Sequence, residues 1–142
     1  MYKIVEHTAD VALAVSAKDL ASLFRDAAAG FGEVVFEDST IHDAEAREIE
    51  LSAIYLEELL ILWLSELNYL LTVHKWVFRT TRDIEIKQID RAEAWQLKAR
   101  IGGEQLNHQR HYIYSDIKAV TYHQMKIEES GGRLFTKVVF DI

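Results

Sequence analysis

The sequence predicts an α+β fold: a single domain over residues 1–142, with two main helices packed against largely antiparallel β-sheet structure. Three observations predict it. Apolar residues recur with helical spacing from Leu20 to Phe31, and the stretch Tyr55–Leu71 is apolar on nearly all sides. The rest of the second half reads as consecutive strands. The predicted order is strands, helix, strand, helix and then a run of strands. This order is typical of α+β proteins rather than of a doubly wound parallel sheet.

The first half begins with two predicted short strands, Tyr2–Val5 and Val11–Ser16, joined by the segment His7-Thr8-Ala9-Asp10. Ser16 followed by Asp19 resembles a helix start, and the helix that follows should bury one face. Residues Arg47–Ala53 alternate between apolar and acidic side chains, which predicts a strand.

The second half contains four predicted strands and two Gly pairs that are interpreted as turns, Gly102-Gly103 and Gly131-Gly132. The strands are Trp76–Ile86, Ala94–Ile101, Ile117–Ile127 and Leu134–Phe140. A two-residue turn at Gly131-Gly132 pairs Ser130 with Arg133 and sets Asp141 opposite Tyr122, to within about two residues. Asp141 is therefore expected beside the stretch Lys118–His123.

Charge and composition exclude several functions. The net charge is −7, with 14 acidic and 4 basic residues through Glu66 and 9 acidic and 12 basic residues from Leu67 onward. This balance argues against a large phosphate-binding surface and favours a protein partner or a cation. The absence of cysteine excludes disulfides, thiolate metal sites and a Cys nucleophile. The first ten residues lack the apolar core of a signal peptide, and Leu59–Leu64 is too short to cross a bilayer, so we expect a cytoplasmic protein.

Catalytic signatures are absent from the sequence: there is no P-loop, GxGxxG, GxSxG or HExxH motif. Four histidines are interpreted as surface or loop residues: His42, His74, His108 and His111. His123 shares strand parity with Ile117 and Met125, which favours an ordinary, partly buried side chain.

Two carboxylates are expected to meet at the end of the last strand, the side chain of Asp141 and the terminal group of Ile142. Neighbouring carboxylates repel unless positive charge lies between them, which Lys118 or a hard cation with oxygen ligands would supply. The alternative is that Asp141 is a solvated residue at a frayed end and that residues 7–10 form only a turn.

Five segments, in order along the chain, together resemble the archease family. They are HTAD (His7–Asp10), LASLFRDAAAGF in the first helix, LEELLILWLSELNYL in the second, KAVTYH (Lys118–His123) and VVFDI (Val138–Ile142). The resemblance implies a small cytoplasmic accessory protein of the RNA ligase that joins 2′,3′-cyclic-phosphate or 3′-phosphate ends to 5′-hydroxyl ends in tRNA splicing and RNA repair. Such a protein promotes guanylylation of the ligase by GTP and repeated turnover, and is not itself an enzyme.

The resemblance also implies a site that binds a divalent cation, described as Ca²⁺. The ligands carried over by motif are Asp10, Asp141 and the main-chain or terminal oxygens of Ile142. Lys118 matches a lysine with a proposed functional role, whereas His7 and His123 match motif positions without a defined role. Oxygen ligands suit Ca²⁺, Mg²⁺ or Mn²⁺ better than zinc. RNA and GTP would be contacted mainly through the ligase.

Two other classes of function stay open at this point. One is an autonomous metal-dependent hydrolase in which Asp10 and Asp141 hold a metal-bound water and His123 is the base. The other is a chaperone-like interaction module with a purely structural metal site.

Overall fold

A computed structural model describes residues 1–6, 9–37, 39–89, 93–122 and 125–142 of the chain. In chain order, the elements are β1 (Tyr2–Glu6), β2 (Asp10–Ala17), α1 (Leu20–Phe36), β3 (Glu45–Ala53), α2 (Leu56–Thr72), β4 (Trp76–Ile89), β5 (Ala94–Gln105), β6 (Ala119–Thr121), β7 (Glu128–Ser130) and β8 (Arg133–Asp141). This order of strands and helices confirms the predicted α+β class.

The strands form two antiparallel sheets. The first has the order β1-β2-β8-β6, and β7 also pairs with β8. The second has the order β3-β5-β4. The last strand of the chain, β8, therefore lies at the centre of the first sheet, where it joins segments from both ends of the sequence.

The two helices lie between the sheets and contact both of them. Helix α1 contacts β2 and β4, and α2 contacts β3, β4 and β6. The rings of Phe31 on α1 and Phe140 on β8 pack edge to face, with centroids 6.2 Å apart. The indole N–H of Trp63 on α2 donates to the carbonyl oxygen of Phe24 on α1 over 3.0 Å, which joins the helices to each other. Burying a large apolar side chain of this kind stabilises a fold by about 1.5–3 kcal/mol.

Helix α1 is longer than predicted. It continues to Phe36, and Val34, Val35 and Phe36 are all buried. The expectation of one buried face is confirmed, because buried residues recur from Leu23 to Phe36 while the opposite side, at Arg25, Ala29 and Glu33, is exposed. Its N-cap is Asp19, whose carboxylate accepts a hydrogen bond from the Ser22 N–H over 2.8 Å, whereas Ser16 belongs to β2.

The Gly102-Gly103 pair is not a turn, because both glycines lie inside β5. A Cβ on Gly102 would overlap the carboxylate of Asp43, which pairs with Arg82 there. A Cβ on Gly103 would overlap the carbonyl oxygen of Val77. These glycines therefore allow a close approach of neighbouring groups to the strand.

The Gly131-Gly132 turn is confirmed, with φ values of +60° and +77° and with Ser130 paired to Arg133. The single strand predicted over Ile117–Ile127 is wrong, because among the described residues of this range only β6 is a strand, and β7 begins after the range at Glu128. The chain between β6 and β7 has three more residues than the part of β8 that it faces. Thr121 and Glu128 are seven positions apart, whereas their partners Val139 and Phe135 are four apart. Asp141 consequently pairs with Ala119 rather than with Tyr122.

In the part of the chain that the structure describes, no helix is long and apolar enough to span a membrane.

Candidate cation site at the end of strands β2 and β8

Asp10 and Asp141 lie directly opposite each other where β2 pairs with β8. The hydrogen-bonding pattern defines the type of this pair. Ile142 N–H donates to the carbonyl oxygen of Ala9 over 3.2 Å, so Ala9 and Ile142 are joined by the ladder. Because antiparallel pairs alternate in type, Asp10 and Asp141 form a non-hydrogen-bonded pair, in which Cα atoms approach to roughly 4.5 Å.

Like charges directly opposite each other destabilise a sheet unless they are compensated. Among the described residues, no Lys, Arg or His nitrogen forms an ion pair with Asp10 or Asp141. Asp10 is half-buried, and Asp141 is exposed. The pair therefore concentrates negative charge at one end of the sheet.

The main chain of Lys118 lies next to Asp141. Its N–H donates to the carbonyl oxygen of Asp141 over 2.8 Å. The preceding residue, Ile117, is buried, and its carbonyl oxygen accepts a hydrogen bond from Asn68 Nδ2 on α2 over 2.9 Å. Helix α2 thus fixes the segment that leads to Lys118, whose own side chain is exposed.

The structure therefore brings together four of the six residues that the sequence singled out, namely Asp10, Lys118, Asp141 and Ile142. The other two, His7 and His123, lie outside the described residues.

The donor set fits a hard cation. Two carboxylates and the main-chain oxygens of Ile142 offer only oxygen, which suits Ca²⁺, Mg²⁺ and Mn²⁺. In the described ranges, no group of three or more His, Asp or Glu side chains converges on a single metal position. The candidate site is smaller than such a group, because it has two carboxylate side chains.

Thr121 lies near this pair and was not among the residues that the sequence singled out. Its Oγ1 is buried without a hydrogen-bond partner in the described chain, and Thr121 pairs with Val139, two positions from the Ala119–Asp141 pair on the same sheet face. An orphaned hydroxyl is rare in a folded protein. No sequence signal distinguishes this threonine from others, because its burial depends on the pairing of β6 with β8.

A second polar cluster surrounds Glu104, which is buried in β5. Its carboxylate accepts hydrogen bonds from the His42 N–H, from Arg110 and from His111 Nε2, the last over 3.1 Å. Burial opposes ionisation of Glu104, but these donors outweigh it and lower its pKa. Because His111 Nδ1 accepts from the Asn107 N–H, Nε2 carries the proton that points at Glu104.

His111 thus lies in a loop, as interpreted from the sequence, but its side chain is buried rather than at the surface. The cluster fastens the irregular segment after β5 to the second sheet. It lies on a different sheet from Asp10 and Asp141.

Comparison with known proteins gives consistent matches over the whole chain. The model of the Archease protein family matches residues 2–142. A protein named archease from Methanosarcina acetivorans is 36% identical over 141 residues, covering 99% of this chain and 95% of the relative. One from Methanopyrus kandleri is 33% identical over 138 residues, covering 97% and 96%.

Two solved structures are also similar. The solution structure of protein 1598 from Methanobacterium thermoautotrophicum has a TM-score of 0.82 and 26% identity, covering 99% of this chain and 98% of the other. The crystal structure of an archease, possible chaperone, from Thermotoga maritima has a TM-score of 0.57 and 25% identity, covering 100% and 98%.

Proposed function

Because the chain belongs to the Archease protein family, we propose that it is a cytoplasmic accessory protein of the RNA ligase that joins 2′,3′-cyclic-phosphate or 3′-phosphate ends to 5′-hydroxyl ends. In this role it promotes guanylylation of the ligase by GTP and repeated turnover. The description of the Thermotoga maritima relative as a possible chaperone supports action on another protein. The net charge of −7 also favours a protein partner over direct binding of RNA.

The proposal assigns Asp10, Asp141 and the main-chain oxygens of Ile142 to a divalent cation, Ca²⁺ in the first place, with Mg²⁺ and Mn²⁺ as alternatives. The single observation that carries it is the pair of facing carboxylates at the end of β2 and β8, which has no ion-pair partner among the described residues. A bound cation would neutralise this pair and supply positive charge at the surface.

The residues around the pair serve to position it. The β2–β8 ladder holds the two carboxylates at a fixed separation, and the hydrogen bond from Lys118 N–H to Asp141 holds the adjoining segment. The exposed ammonium group of Lys118 is available to a partner's carboxylate or to a phosphate. We propose that this end of the molecule docks at the ligase active site.

The test is a ligation assay with the purified cognate ligase, GTP and a divalent metal, scored for multiple turnovers with and without this protein. We expect the wild type to raise turnover and both Asp10→Asn and Asp141→Asn to lose most of the stimulation. Asp83→Asn is the matched control, because it removes an exposed strand carboxylate from the other sheet. All variants must first show cooperative thermal unfolding and the circular dichroism spectrum of the wild type.

Different failures would point to different errors. If the wild type leaves ligation unchanged, the ligase role is wrong. Undiminished stimulation by both folded Asp variants would leave the ligase role intact but remove the cation from it, as for a chaperone-like module. Metal-dependent phosphoester hydrolysis without a partner would favour the hydrolase alternative.

A further inference from the structure

Strand β1 is one edge of the first sheet and pairs only with β2 in the described chain. Met1 and Ser16 exchange two hydrogen bonds, since Ser16 N–H donates to Met1 O over 2.8 Å and the Met1 amino group donates to Ser16 O over 2.9 Å. Hydrogen-bonded and non-hydrogen-bonded pairs alternate along an antiparallel ladder. Lys3 and Val5 therefore bond to β2, and the backbone groups of Tyr2, Ile4 and Glu6 point away from it.

The outward N–H and C=O groups of Tyr2, Ile4 and Glu6 have no hydrogen-bond partner among the described residues. This part of the strand is not enclosed, because Glu6 is exposed and Tyr2 and Ile4 are only half-buried. An unpaired row of backbone donors and acceptors is a template for another strand.

A groove of about 610 Å³ runs beside this edge, between β1 and α1. Its charged lining residues are all acidic, namely Glu6, Glu33 and Glu37, and its apolar floor includes Ile4 and Val11. The side chain of Glu33 accepts a hydrogen bond from the Tyr2 hydroxyl, which, with burial and nearby negative charge, raises the pKa of Tyr2 to about 12. The acidic side chains of the groove therefore lie beside the backbone groups of β1 that have no partner among the described residues.

We propose that the β1 edge binds an extended segment of a partner protein as an added strand, and that this segment carries Lys or Arg at alternate positions. The outward groups of Tyr2, Ile4 and Glu6 would pair with its backbone. Every second side chain of the added strand would then point toward the groove and meet Glu33 and Glu37. This inference does not depend on the identity of the partner in the proposed function.

The charge of the groove argues for a basic partner rather than for a second copy of this chain. Pairing two β1 strands edge to edge would bring the acidic grooves of both copies together, and like charges at an interface disfavour association. A basic segment instead neutralises the carboxylates as it adds to the sheet.

The probe is a capped seven-residue peptide in which lysine alternates with valine, added to the full chain at low ionic strength. Amide hydrogen exchange is measured by NMR. At a peptide concentration ten times its Kd, exchange at Tyr2, Ile4 and Glu6 should slow by about ten-fold. The amides of Lys3 and Val5 are internal references, because they already bond to β2.

Two controls separate strand addition from general attraction between opposite charges. The same peptide methylated on every internal amide keeps its lysines but cannot form a ladder, and it should lose the binding. The double variant Glu33→Gln, Glu37→Gln should weaken binding by up to about five-fold for each carboxylate. The double variant Glu128→Gln, Glu129→Gln removes equal charge from exposed positions on β7 and should leave binding unchanged.

Three results would overturn the proposal. The first is that the peptide leaves amide exchange at Tyr2, Ile4 and Glu6 unchanged. The second is that the methylated peptide binds as well as the unmethylated one. The third is protection of the same amides that rises with protein concentration in the absence of peptide, which would assign the edge to a second copy.

Discussion

At the scale of single residues, the facing carboxylates of Asp10 and Asp141 make stability sensitive to divalent cations. In metal-free buffer, Asp141→Asn should raise the free energy of unfolding by about 0.2–1 kcal/mol, because it removes one of two opposed charges. Saturating Ca²⁺ should stabilise the wild type by about 2.7 kcal/mol at one hundred times the Kd and leave the variant nearly unchanged. Urea unfolding with chelator and with Ca²⁺ measures both effects.

Asp83→Asn is the control for this comparison, since it should respond to Ca²⁺ as the wild type does. An equal response of wild type and Asp141→Asn to Ca²⁺ would exclude Asp141 as a ligand.

The ionisation of Glu104 makes the free energy of unfolding depend on pH in the acid range. Because its pKa is lowered in the folded protein, its contribution is complete above its ordinary value of 4.5 and is lost as pH falls through the lowered pKa. Glu104→Gln should cost about 1–3 kcal/mol at neutral pH, since it weakens the hydrogen bonds of a buried group. It should also flatten the loss of stability below pH 4.5. Urea unfolding at several pH values checks this, and parallel wild-type and variant profiles would contradict it.

At the scale of elements, two glycines in α1 form a matched pair. A Cβ on Gly30 would lie 2.5 Å from a methyl carbon of Leu13, whereas a Cβ on Gly32 would meet only Phe78 at 3.9 Å. Gly32→Ala should stabilise the protein by up to about 1 kcal/mol through helix propensity. Gly30→Ala should destabilise it by about 1–3 kcal/mol, because the fully buried side chain of Leu13 or α1 itself must shift.

Thermal unfolding of the two glycine variants measures the difference. A similar shift in Tm for both would mean that α1 and β2 are not in close contact at Gly30.

The elements also show what local sequence can and cannot predict. The Gly131-Gly132 turn was predictable because its signal is local. The strand register before the turn was not predictable, because contacts with α2 fix the segment between Ile117 and Ile127. Glu57 accepts a hydrogen bond from the Ile127 N–H over 3.0 Å, and Asn68 donates one to the carbonyl oxygen of Ile117. The prediction of a turn at Gly102 failed for a different reason. A glycine that allows a neighbouring group to approach a strand looks the same in sequence as a glycine that a turn requires.

At the scale of the whole molecule, the arrangement of the helices between two sheets predicts cooperative unfolding. The side chains of Trp63 on α2 and Trp76 on β4 are fully buried, and each helix contacts both sheets. If residues 1–142 form one domain, tryptophan fluorescence and far-ultraviolet circular dichroism should give the same urea midpoint. Separate midpoints would show that the sheets unfold independently and that the single-domain prediction is wrong.

The candidate site was only partly predictable at this scale. Hairpin reasoning brought Asp141 near Lys118, despite the error in register, because both residues belong to the last third of the chain. Asp10 entered only through the family resemblance. Its place opposite Asp141 depends on the pairing of β2 with β8, and no local pattern reveals a pairing between opposite ends of a sequence.

The central position of β8 also affects how the protein is made. Ribosomes synthesise β1 and β2 first, yet the open side of β2 has no partner until residues 133–141 have emerged. The first sheet therefore closes late in synthesis, after both helices and the second sheet are available. A nascent or truncated chain lacks the Asp10–Asp141 pair, so a cation held there would mark the molecules whose first sheet is complete.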